Sequence, residues 1–519
     1  MSLQKKSDVI IFGGIPLDHR GRALGPFRIR TVVEKMGLTA SIIDHFWGRK
    51  SFDILRHIDY CCGENTIIFG ISYTWIRDLM EETLYAKDPI LFVGTDYTSM
   101  EELLNIIISW LKQKYPKIQI VIGSANSATI DKNLISKVDW VVDGFAELSL
   151  PALITHLLNG SDLKYSNRQG IKYIDSNIDY KVTDLTYLNV DYKLSDNFAP
   201  HQPLTLETCR GCLWNCAYCT YAFRGKKDYE YLRSTDHIAN ELRRNYELFG
   251  TTRYIIADDT FNDSEEKITR LLKAVNLAKL PDFNYVCYLR PEMLVTRPNM
   301  IPLLIELGLS GAHLGLESFN TDSRKLMGRG GNIENIKEKL VELKQRSKNY
   351  VGLYGSFIIG LPYDSIDDIR LWNQELCNQQ SQFLDNWLWY TLQINQNNIG
   401  EKIIFNSKTV SSQSNQSLIE CNPEKYGYEI DYTKNNFNAW WKNKFMTVDQ
   451  ANNLSKELFN INKNYIGFGG WLVAFAWYFN LSDQYIRKEK LSSVNFKIAG
   501  RESVNSRFNN WENIISNNV

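Results

Sequence analysis

The most reactive side chains of this sequence are four cysteines within residues 209–219. Cys212, Cys216 and Cys219 have the spacing Cys-x-x-x-Cys-x-x-Cys, and Cys209 lies three residues upstream. Closely spaced thiolates in an intracellular protein bind metal far more often than they form disulfides. Structural zinc needs four ligands, whereas an iron–sulfur cluster can be held by three thiolates with one iron left for another ligand. The unequal spacing favours a cluster, and a zinc-stabilised binding protein that also uses Cys209 is the non-enzymatic alternative.

The composition of the chain is that of an ordinary folded protein. It has 519 residues, of which 44% are hydrophobic and 13% aromatic, and this excludes disordered, collagen-like and disulfide-scaffold proteins. Lys+Arg and Asp+Glu are both 59, so neither a nucleic acid nor an anionic membrane is expected as a partner. The apolar runs are too short for a membrane span or a signal peptide. We therefore expect a cytoplasmic protein.

The residues around and after the cysteines predict a β/α barrel. Strand and helix patterns alternate through residues 201–395. The six candidate strands are 204–208, 254–259, 284–290, 312–318, 352–360 and 386–394. The cysteine loop follows the first of them, at the end of the barrel where barrel enzymes place their chemistry.

The first third of the chain predicts a second α/β unit. Residues 7–160 alternate short β-branched runs with helical patterns, which indicates a doubly wound, Rossmann-like domain. Ligands bind at the carboxyl ends of the strands in such sheets, and the loops at those ends follow Gly14, Asp44, Ser72 and Gly123. There is no G-x-G-x-x-G fingerprint, which argues against a dinucleotide. Residues 161–200 have the composition of a connector with one small hairpin.

The last region, residues 396–519, is predicted to cover the open side of the barrel. It begins with an Asn/Ser/Gln-rich stretch, 406–417, that is typical of a flexible loop. Aromatic-rich helices follow, one with a capping pattern at Thr447 and Gln450 and one in the apolar run 467–481. We expect the Trp and Tyr side chains of this mainly helical region to form core.

The cysteine motif, with Tyr218 as the aromatic residue before the third cysteine, resembles the signature of the radical S-adenosylmethionine (SAM) enzymes. In that family three cysteines hold a [4Fe–4S] cluster whose fourth iron chelates SAM, and an electron from the cluster cleaves SAM to a 5′-deoxyadenosyl radical. The resemblance implies that Cys212, Cys216 and Cys219 are the ligands, and that Tyr218 lies beside the cofactors. A fourth thiolate would displace SAM, so Cys209 is not expected to bind iron. An electron donor such as flavodoxin or ferredoxin is implied as a partner.

Two later segments resemble SAM-binding positions of the family. Glu317, in GLES, resembles the acidic residue that contacts the polar groups of SAM, with Ser318 as its neighbour. The segment GSFIIGLP resembles the motif of the fifth strand, where small residues let the adenine lie close. This likeness implies cofactor contacts for Ser356, Gly360 and Pro362.

Polar residues also end the second and third predicted strands. Asp258 and Asp259 end the second strand, and Arg290 ends the third. Their positions match family positions that face SAM or the substrate, which implies cofactor binding for Asp258 and catalytic roles for Asp259 and Arg290. For Asp259 and Arg290 an ordinary solvated strand-end position is an equal alternative.

The order of the two domains resembles the subclass of radical SAM enzymes with a cobalamin-binding domain, over about residues 7–395. Residues 120–129 and 141–157 stand where that subclass has a Gly-Gly turn and a Gly-x-x-Glu segment. The Asp-x-His-x-x-Gly motif, which supplies the axial histidine of cobalamin, is missing. The spacing is wrong in Asp18–Gly21, and Asp44–Gly48, which includes His45, is one residue short. Whether the chain binds cobalamin is left open.

The resemblance implies a cobalamin-dependent C-methyltransferase that acts on a small molecule or peptide. A radical SAM mutase, ligase or dehydrogenase without cobalamin is the alternative within enzymes. Methylthiolation of transfer RNA is rejected, because that family needs three more cysteines for a second cluster and the first domain has only Cys61 and Cys62.

Overall fold

The structure is a computed structural model in which the chain divides into two compact units, residues 1–198 with 494–519 and residues 199–493. The described residues are 6–13, 23–44, 49–73, 95–124, 130, 132–168, 170–180, 185–196, 198, 202–221, 223, 225, 231–378, 382–396, 399, 416–434, 439–462, 469, 470, 473, 474 and 477.

The first unit has one sheet of seven strands. Its strands are β1 (Val9–Gly13), β2 (Ala40–Ile43), β3 (Ile68–Ser72), β4 (Gln119–Ser124), β5 (Trp140–Asp143), β6 (Ser166–Arg168) and β7 (Ile171–Asp175). They lie in the order β2-β1-β3-β4-β5-β7-β6, and neighbours are parallel except for the hairpin of β6 and β7. The helices are α1 (Leu24–Lys35), α2 (Ser51–Cys61), α3 (Met100–Lys114), α4 (Lys132–Ile135), α5 (Ser149–Asn159) and α6 (Ser176–Asp179), with 3-10 turns at Leu185–Leu188 and Leu194–Asp196.

This sheet is buried on both faces, as a parallel sheet with helices on either side requires. Alternate residues of β1 pack into two different hydrophobic clusters, Ile10 and Phe12 on one face and Val9 and Ile11 on the other. The helix α5 ends at Gly160, which has a φ of 72°. The Rossmann-like prediction is confirmed.

The edge of this sheet where a ligand is expected lies largely outside the described residues. In this strand order the direction of winding reverses between β1 and β3, so a ligand crevice is expected at the carboxyl ends of these two paired strands. The predicted loops after Gly14, Asp44, Ser72 and Gly123 fall mainly on residues that are not described, and so do both histidine segments considered as axial ligands, Asp18–Gly21 and most of Asp44–Gly48.

The second unit has the predicted partial barrel. Its six parallel strands lie in chain order: β8 (Leu204–Leu206), β9 (Arg253–Ile256), β10 (Asn284–Leu289), β11 (Leu309–Glu317), β12 (Gly352–Ile359) and β13 (Asn386–Thr391). A separate antiparallel hairpin is formed by β14 (Glu429–Asp431) and β15 (Trp440–Lys442). The helices are α7 (Thr235–Phe249), α8 (Glu265–Ala278), α9 (Glu292–Thr296), α10 (Met300–Leu307), α11 (Thr321–Leu326), α12 (Ile333–Arg346), α13 (Ile366–Asn378), α14 (Leu418–Cys421) and α15 (Val448–Asn462), with 3-10 turns at Phe261–Asp263 and Glu424–Tyr426.

The last described residues pack against the amino-terminal halves of the barrel strands. Val473, Ala474 and Trp477 form a buried cluster with Val286 and Ile255. A β-carbon at Gly311 would lie 2.4 Å from the carbonyl oxygen of Gly470, so the two backbones need glycine at this approach. These contacts place the last described residues against β9, β10 and β11.

The rest of the C-terminal region packs against the strand β13 and behind β12. The hydroxyl of Ser455, on α15, donates to the carbonyl of Trp389 at 2.7 Å. The Trp441 side chain is fully buried, as expected for core. The predicted cap of α15 is present, because Gln450 and Thr447 exchange side-chain and backbone hydrogen bonds. Most of 406–417 and of the predicted apolar helix 467–481 lies outside the described residues.

Among the described residues, no helix combines the length and apolarity that a membrane crossing would need.

Candidate functional site

The cysteine loop follows β8 and is tied to two other segments by backbone hydrogen bonds. The amide of Ala217 donates to the carbonyl of Met327 at 3.1 Å, and the amide of Ile419 donates to the carbonyl of Ala217 at 3.0 Å. Cys212 and Cys216 are buried and Cys219 is half-buried. All three thiols are free of disulfides.

A polar group lies beside each of the three sulfur atoms. Nη1 of Arg290 donates to Sγ of Cys216 at 3.3 Å. The backbone amide of Tyr221 donates to Sγ of Cys219 at 3.4 Å, and Oγ1 of Thr260 lies 3.7 Å from Sγ of Cys212. Hydrogen bonds to the sulfur ligands are a feature by which proteins stabilise iron–sulfur clusters and tune them. The chemistry of the three thiols and of their donors suits a [4Fe–4S] cluster, while among the described residues no three His, Cys, Asp or Glu side chains converge as ligands of a single metal ion.

Cys209 has different surroundings from the other three cysteines. Its amide donates to Oδ1 of Asp258 at 3.3 Å, and its thiol donates to the carbonyl of Gly211 at 3.7 Å. Burial raises the pKa of the Cys209 thiol well above its usual range, which favours the protonated form. These contacts support the expectation that Cys209 is not a ligand.

A buried group that we call the lysine cluster consists of Lys267, Asp258 and Asp263. Nζ of Lys267 lies 3.4 Å from Oδ2 of Asp258 and 3.1 Å from Oδ1 of Asp263, and the three side chains are at most 2% exposed. Asp258 also accepts hydrogen bonds from the amide, at 2.8 Å, and the hydroxyl of Thr208. Burial raises the pKa of Asp263, and Lys267 opposes this increase. The lysine cluster thus fixes the backbone where β8 enters the cysteine loop.

A second buried group, the arginine cluster, consists of Arg290, Glu292, Glu317, Arg324 and Arg329. Glu292 is its centre: Oε1 lies 2.7 Å from Nη2 of Arg324 and 3.1 Å from Nε of Arg329. Nε of Arg290 lies 3.6 Å from the other oxygen of Glu292, and Nη2 of Arg329 lies 3.7 Å from Glu317. Three guanidinium groups and two carboxylates leave an excess of positive charge, which suits an anionic group nearby.

Glu317 ends β11 in a conformation that few side chains adopt. Its φ is 66°, and the register of β11 against β12 shifts between Gly315 and Glu317. A non-glycine residue in this region costs of order 1–3 kcal/mol and is typical of functional sites. The hydroxyl of Tyr218 donates to Oε1 of Glu317 at 2.7 Å. Burial raises the pKa of Glu317, and Arg329 and Tyr218 oppose this increase.

Two other predicted site residues lie close to these clusters. Ser318 is fully buried; its hydroxyl accepts from the amide of Asn320 at 2.8 Å and contacts Asp364, whose pKa is raised to about 7 by burial. Asp259 directly follows Asp258 of the lysine cluster. Unlike Asp258 it is exposed, and the side chain of Tyr221 forms a hydrogen bond with its carboxylate. Both positions stay predictions for contacts with SAM or substrate.

The segment that resembles the fifth-strand motif has a close neighbour that the sequence did not suggest. Gly360 has a φ of 105°, and a β-carbon there would lie 2.3 Å from the ring of Trp441. Its carbonyl accepts from the hydroxyl of Tyr428 at 2.9 Å. The glycine therefore accommodates a C-terminal aromatic residue, while Ser356 is half-buried on β12 and Pro362 is buried just beyond it.

The structure brings together residues that the sequence proposed separately, Tyr218 with Glu317 and Arg290 with Cys216. Sequence reasoning missed the partners that complete the two clusters, which are Asp263, Lys267, Glu292, Arg324 and Arg329. Two features of the sequence could have indicated the arginine cluster: the Arg-Pro-Glu segment at 290–292, and two arginines within twelve residues after Glu317.

The sequence of residues 206–372 matches the radical SAM superfamily, and this range contains every predicted site residue. Residues 206–372 therefore form a radical SAM domain. Such a domain makes the protein an enzyme and implies a [4Fe–4S] cluster and SAM as its cofactors. Cys212, Cys216 and Cys219 stay the predicted ligands of that cluster. Curated proteins give no sequence match.

Solved structures show where the fold recurs. The radical SAM methyltransferase TsrM from Kitasatospora setae, with tryptophan and a SAM analogue bound, matches with a TM-score of 0.59 at 12% identity, over 88% of this chain and 89% of that one. The cobalamin-dependent radical SAM enzyme OxsB, with aqua-cobalamin and SAM bound, matches with a TM-score of 0.55 at 14% identity, over 89% and 67%. The predicted architecture, a Rossmann-like unit with a partial radical SAM barrel and a C-terminal region, is confirmed.

Proposed function

We propose that this protein is a cobalamin-dependent radical SAM methyltransferase that methylates a carbon atom of a small molecule or peptide. The observation that carries the proposal is the extent of the likeness to TsrM, a methyltransferase whose structure has also been solved with cobalamin and a [4Fe–4S] cluster. The likeness covers 88% of this chain, more than the second unit could supply alone. It therefore includes the sheet of the first unit, where a cobalamin would bind.

The residues of the barrel suit SAM cleavage. When bound, the cluster supplies the electron that cleaves SAM, and a flavodoxin or ferredoxin of the cytoplasm would supply that electron in turn. Glu317, with the hydroxyl of Tyr218, would hold the polar groups of SAM. The buried apolar cluster around Val473 and Trp477 packs against β9 and β10, and such packing would help to keep water from a reactive intermediate.

The strand order of the first unit suits cobalamin binding, but its sequence lacks the histidine motif of cobalamin-binding domains. The order β2-β1-β3-β4-β5 places a crevice at the carboxyl ends of β1 and β3. The motif Asp-x-His-x-x-Gly is missing from the sequence. A bound cobalamin would thus lack the axial histidine that the motif supplies.

The missing motif favours a second candidate, a radical SAM mutase, ligase or dehydrogenase in which the first unit is only a scaffold. The two candidates share the cluster and SAM, and they differ in whether the chain holds cobalamin.

Anaerobic reconstitution separates them. The full chain is incubated with iron, sulfide and hydroxocobalamin and desalted, and then iron, zinc and cobalamin are quantified. We expect about four irons per chain and an equimolar amount of cobalamin. The matched control, Cys216→Ala, should lose the iron and keep the cobalamin. Iron without cobalamin would favour the second candidate, and zinc in place of iron would contradict both.

A further inference from the structure

We propose that Arg290 is a positioning residue that raises the reduction potential of the cluster through Cys216, and that Glu292 limits this effect. The inference rests on the cluster that the radical SAM domain implies. It changes the role expected for Arg290 from contact with substrate to control of the electron that SAM cleavage needs.

The contacts of the Arg290 guanidinium aim it at the cysteine loop. Nη1 donates to Sγ of Cys216 at 3.3 Å, and Nη2 donates to the carbonyl of Gly328 at 3.0 Å. The guanidinium carbon lies 4.1 Å from the ring centroid of Trp214, two residues before Cys216 in the loop. A planar group with several donors can make all three contacts at once, which a lysine ammonium cannot do.

The backbone of Arg290 is fixed as firmly as its side chain. Its amide donates to Oδ1 of Asn262 at 2.7 Å, and Nδ2 of the same asparagine donates to the Arg290 carbonyl at 3.0 Å. Both residues are buried. These hydrogen bonds hold the backbone from which the Arg290 guanidinium reaches Cys216.

The positive charge of Arg290 lies in a buried site with little access for water. The Arg290 side chain is 5% exposed, so its interaction with a nearby charge is screened far less than at the surface. Reduction adds one electron to the cluster, and a positive group at a sulfur ligand stabilises the added negative charge. Removal of the positive charge should make the cluster harder to reduce.

Glu292 has the opposite effect in the same place. Its Oε2 lies 3.6 Å from Nε of Arg290, and its other oxygen pairs with Arg324 and Arg329. If the carboxylate is neutralised, the positive charge beside Cys216 is less compensated. The structure thus predicts shifts of opposite sign for these two neighbours.

The test is an anaerobic redox titration of the reconstituted full chain, without SAM, followed by electron paramagnetic resonance of the reduced cluster. We expect the midpoint potential to become more negative in Arg290→Gln and more positive in Glu292→Gln. Arg290→Lys, which keeps the charge but loses the fork, should lie between wild type and Arg290→Gln. The matched control Arg270→Gln changes a half-buried arginine of α8 that pairs with Glu266, and it should titrate as wild type does.

The iron content of each variant shows whether a negative result concerns the presence of the cluster or the effect of Arg290 and Glu292 on its potential. If the wild type takes up no iron, the cluster itself is refuted. If iron is equal in all variants and the Arg290→Gln and Glu292→Gln potentials stay unchanged or move in the same direction, the inference is overturned. Should Arg290→Gln fail to fold or to take up iron, the sign of the Glu292→Gln shift decides.

Discussion

The lysine cluster and the arginine cluster lie at the same end of the same barrel, yet they have opposite charge balances and different contacts. The lysine cluster has one cation for two carboxylates, and its Asp258 binds backbone amides and a hydroxyl where the cysteine loop begins. The arginine cluster has three cations for two carboxylates, and it reaches a cysteine sulfur and Tyr218. We infer from this difference that the lysine cluster holds the cysteine loop in place and that the arginine cluster would set the electrostatics around bound cofactors.

The largest expected effect is the difference between Cys216, which contacts the arginine cluster, and Cys209, which contacts the lysine cluster. Cys216→Ala removes the sulfur that Arg290 contacts, so iron uptake and SAM cleavage should be lost completely. Cys209→Ala alters only the side of the lysine cluster, and iron content should stay near that of wild type. Iron and sulfide analysis after anaerobic reconstitution measures both. Loss of the cluster in Cys209→Ala would show that the loop has four ligands.

Loss of Lys267 should mainly lower the free energy of unfolding and affect the cofactor chemistry less. Lys267→Met leaves Asp258 and Asp263 as unpaired buried carboxylates, which costs about 3–5 kcal/mol of unfolding free energy. Burial raises the pKa of Asp263, and the increase should be larger without the lysine, so the loss of stability should shrink as the pH falls and Asp263 takes up a proton.

Chemical denaturation of the cluster-free chain at two pH values measures the effect. The control is Lys273→Met, which changes an exposed residue of the same helix, α8. Equal midpoints for the two variants would mean that the lysine cluster does not stabilise the loop.

The arginine cluster should show the reverse, a change in cofactor binding with little change in iron. Glu317→Gln keeps the shape of the side chain and removes its charge, and hydrogen bonds to charged groups contribute about 1.5–3 kcal/mol. The dissociation constant of SAM should therefore rise at least tenfold, as equilibrium dialysis can measure. The exposed Glu306→Gln is the control. An unchanged SAM affinity would remove Glu317 from the binding site.

The smallest effect is expected at the third polar group beside a sulfur. Thr260→Val replaces a neutral hydroxyl that lies 3.7 Å from Sγ of Cys212, whereas Arg290 brings a full charge closer to Cys216. The midpoint potential should move less in this variant than in Arg290→Gln. Equal shifts of the midpoint potential in Thr260→Val and Arg290→Gln would show that the charge of Arg290 is not what controls the potential.

The sequence was informative wherever a local pattern determines the structure. Alternating strand and helix patterns located all six barrel strands, and the spacing of Cys212, Cys216 and Cys219 placed the loop after the first one. The strand-end position of Arg290 was correct, but its contact with Cys216 is between residues 74 positions apart, and no local pattern encodes such a contact.

Gly360 illustrates the same limit. Its small size was interpreted as space for an adenine, and the structure places the ring of Trp441 there. A glycine in the sequence indicates that something approaches closely, and only the folded chain shows what it is. The charged partners Lys267 and Glu292 were missed for a related reason, because burial of a charged residue depends on its tertiary partners.

The most direct test of the central claim, that three thiolates hold a cluster with one iron open to SAM, is electron paramagnetic resonance of the reduced wild-type protein with and without SAM. The account predicts the signal of a reduced [4Fe–4S] cluster whose g-values change when SAM is added, because SAM binds the open iron. A cluster signal that SAM leaves unchanged, or an iron-free protein with zinc at the cysteines, would contradict it.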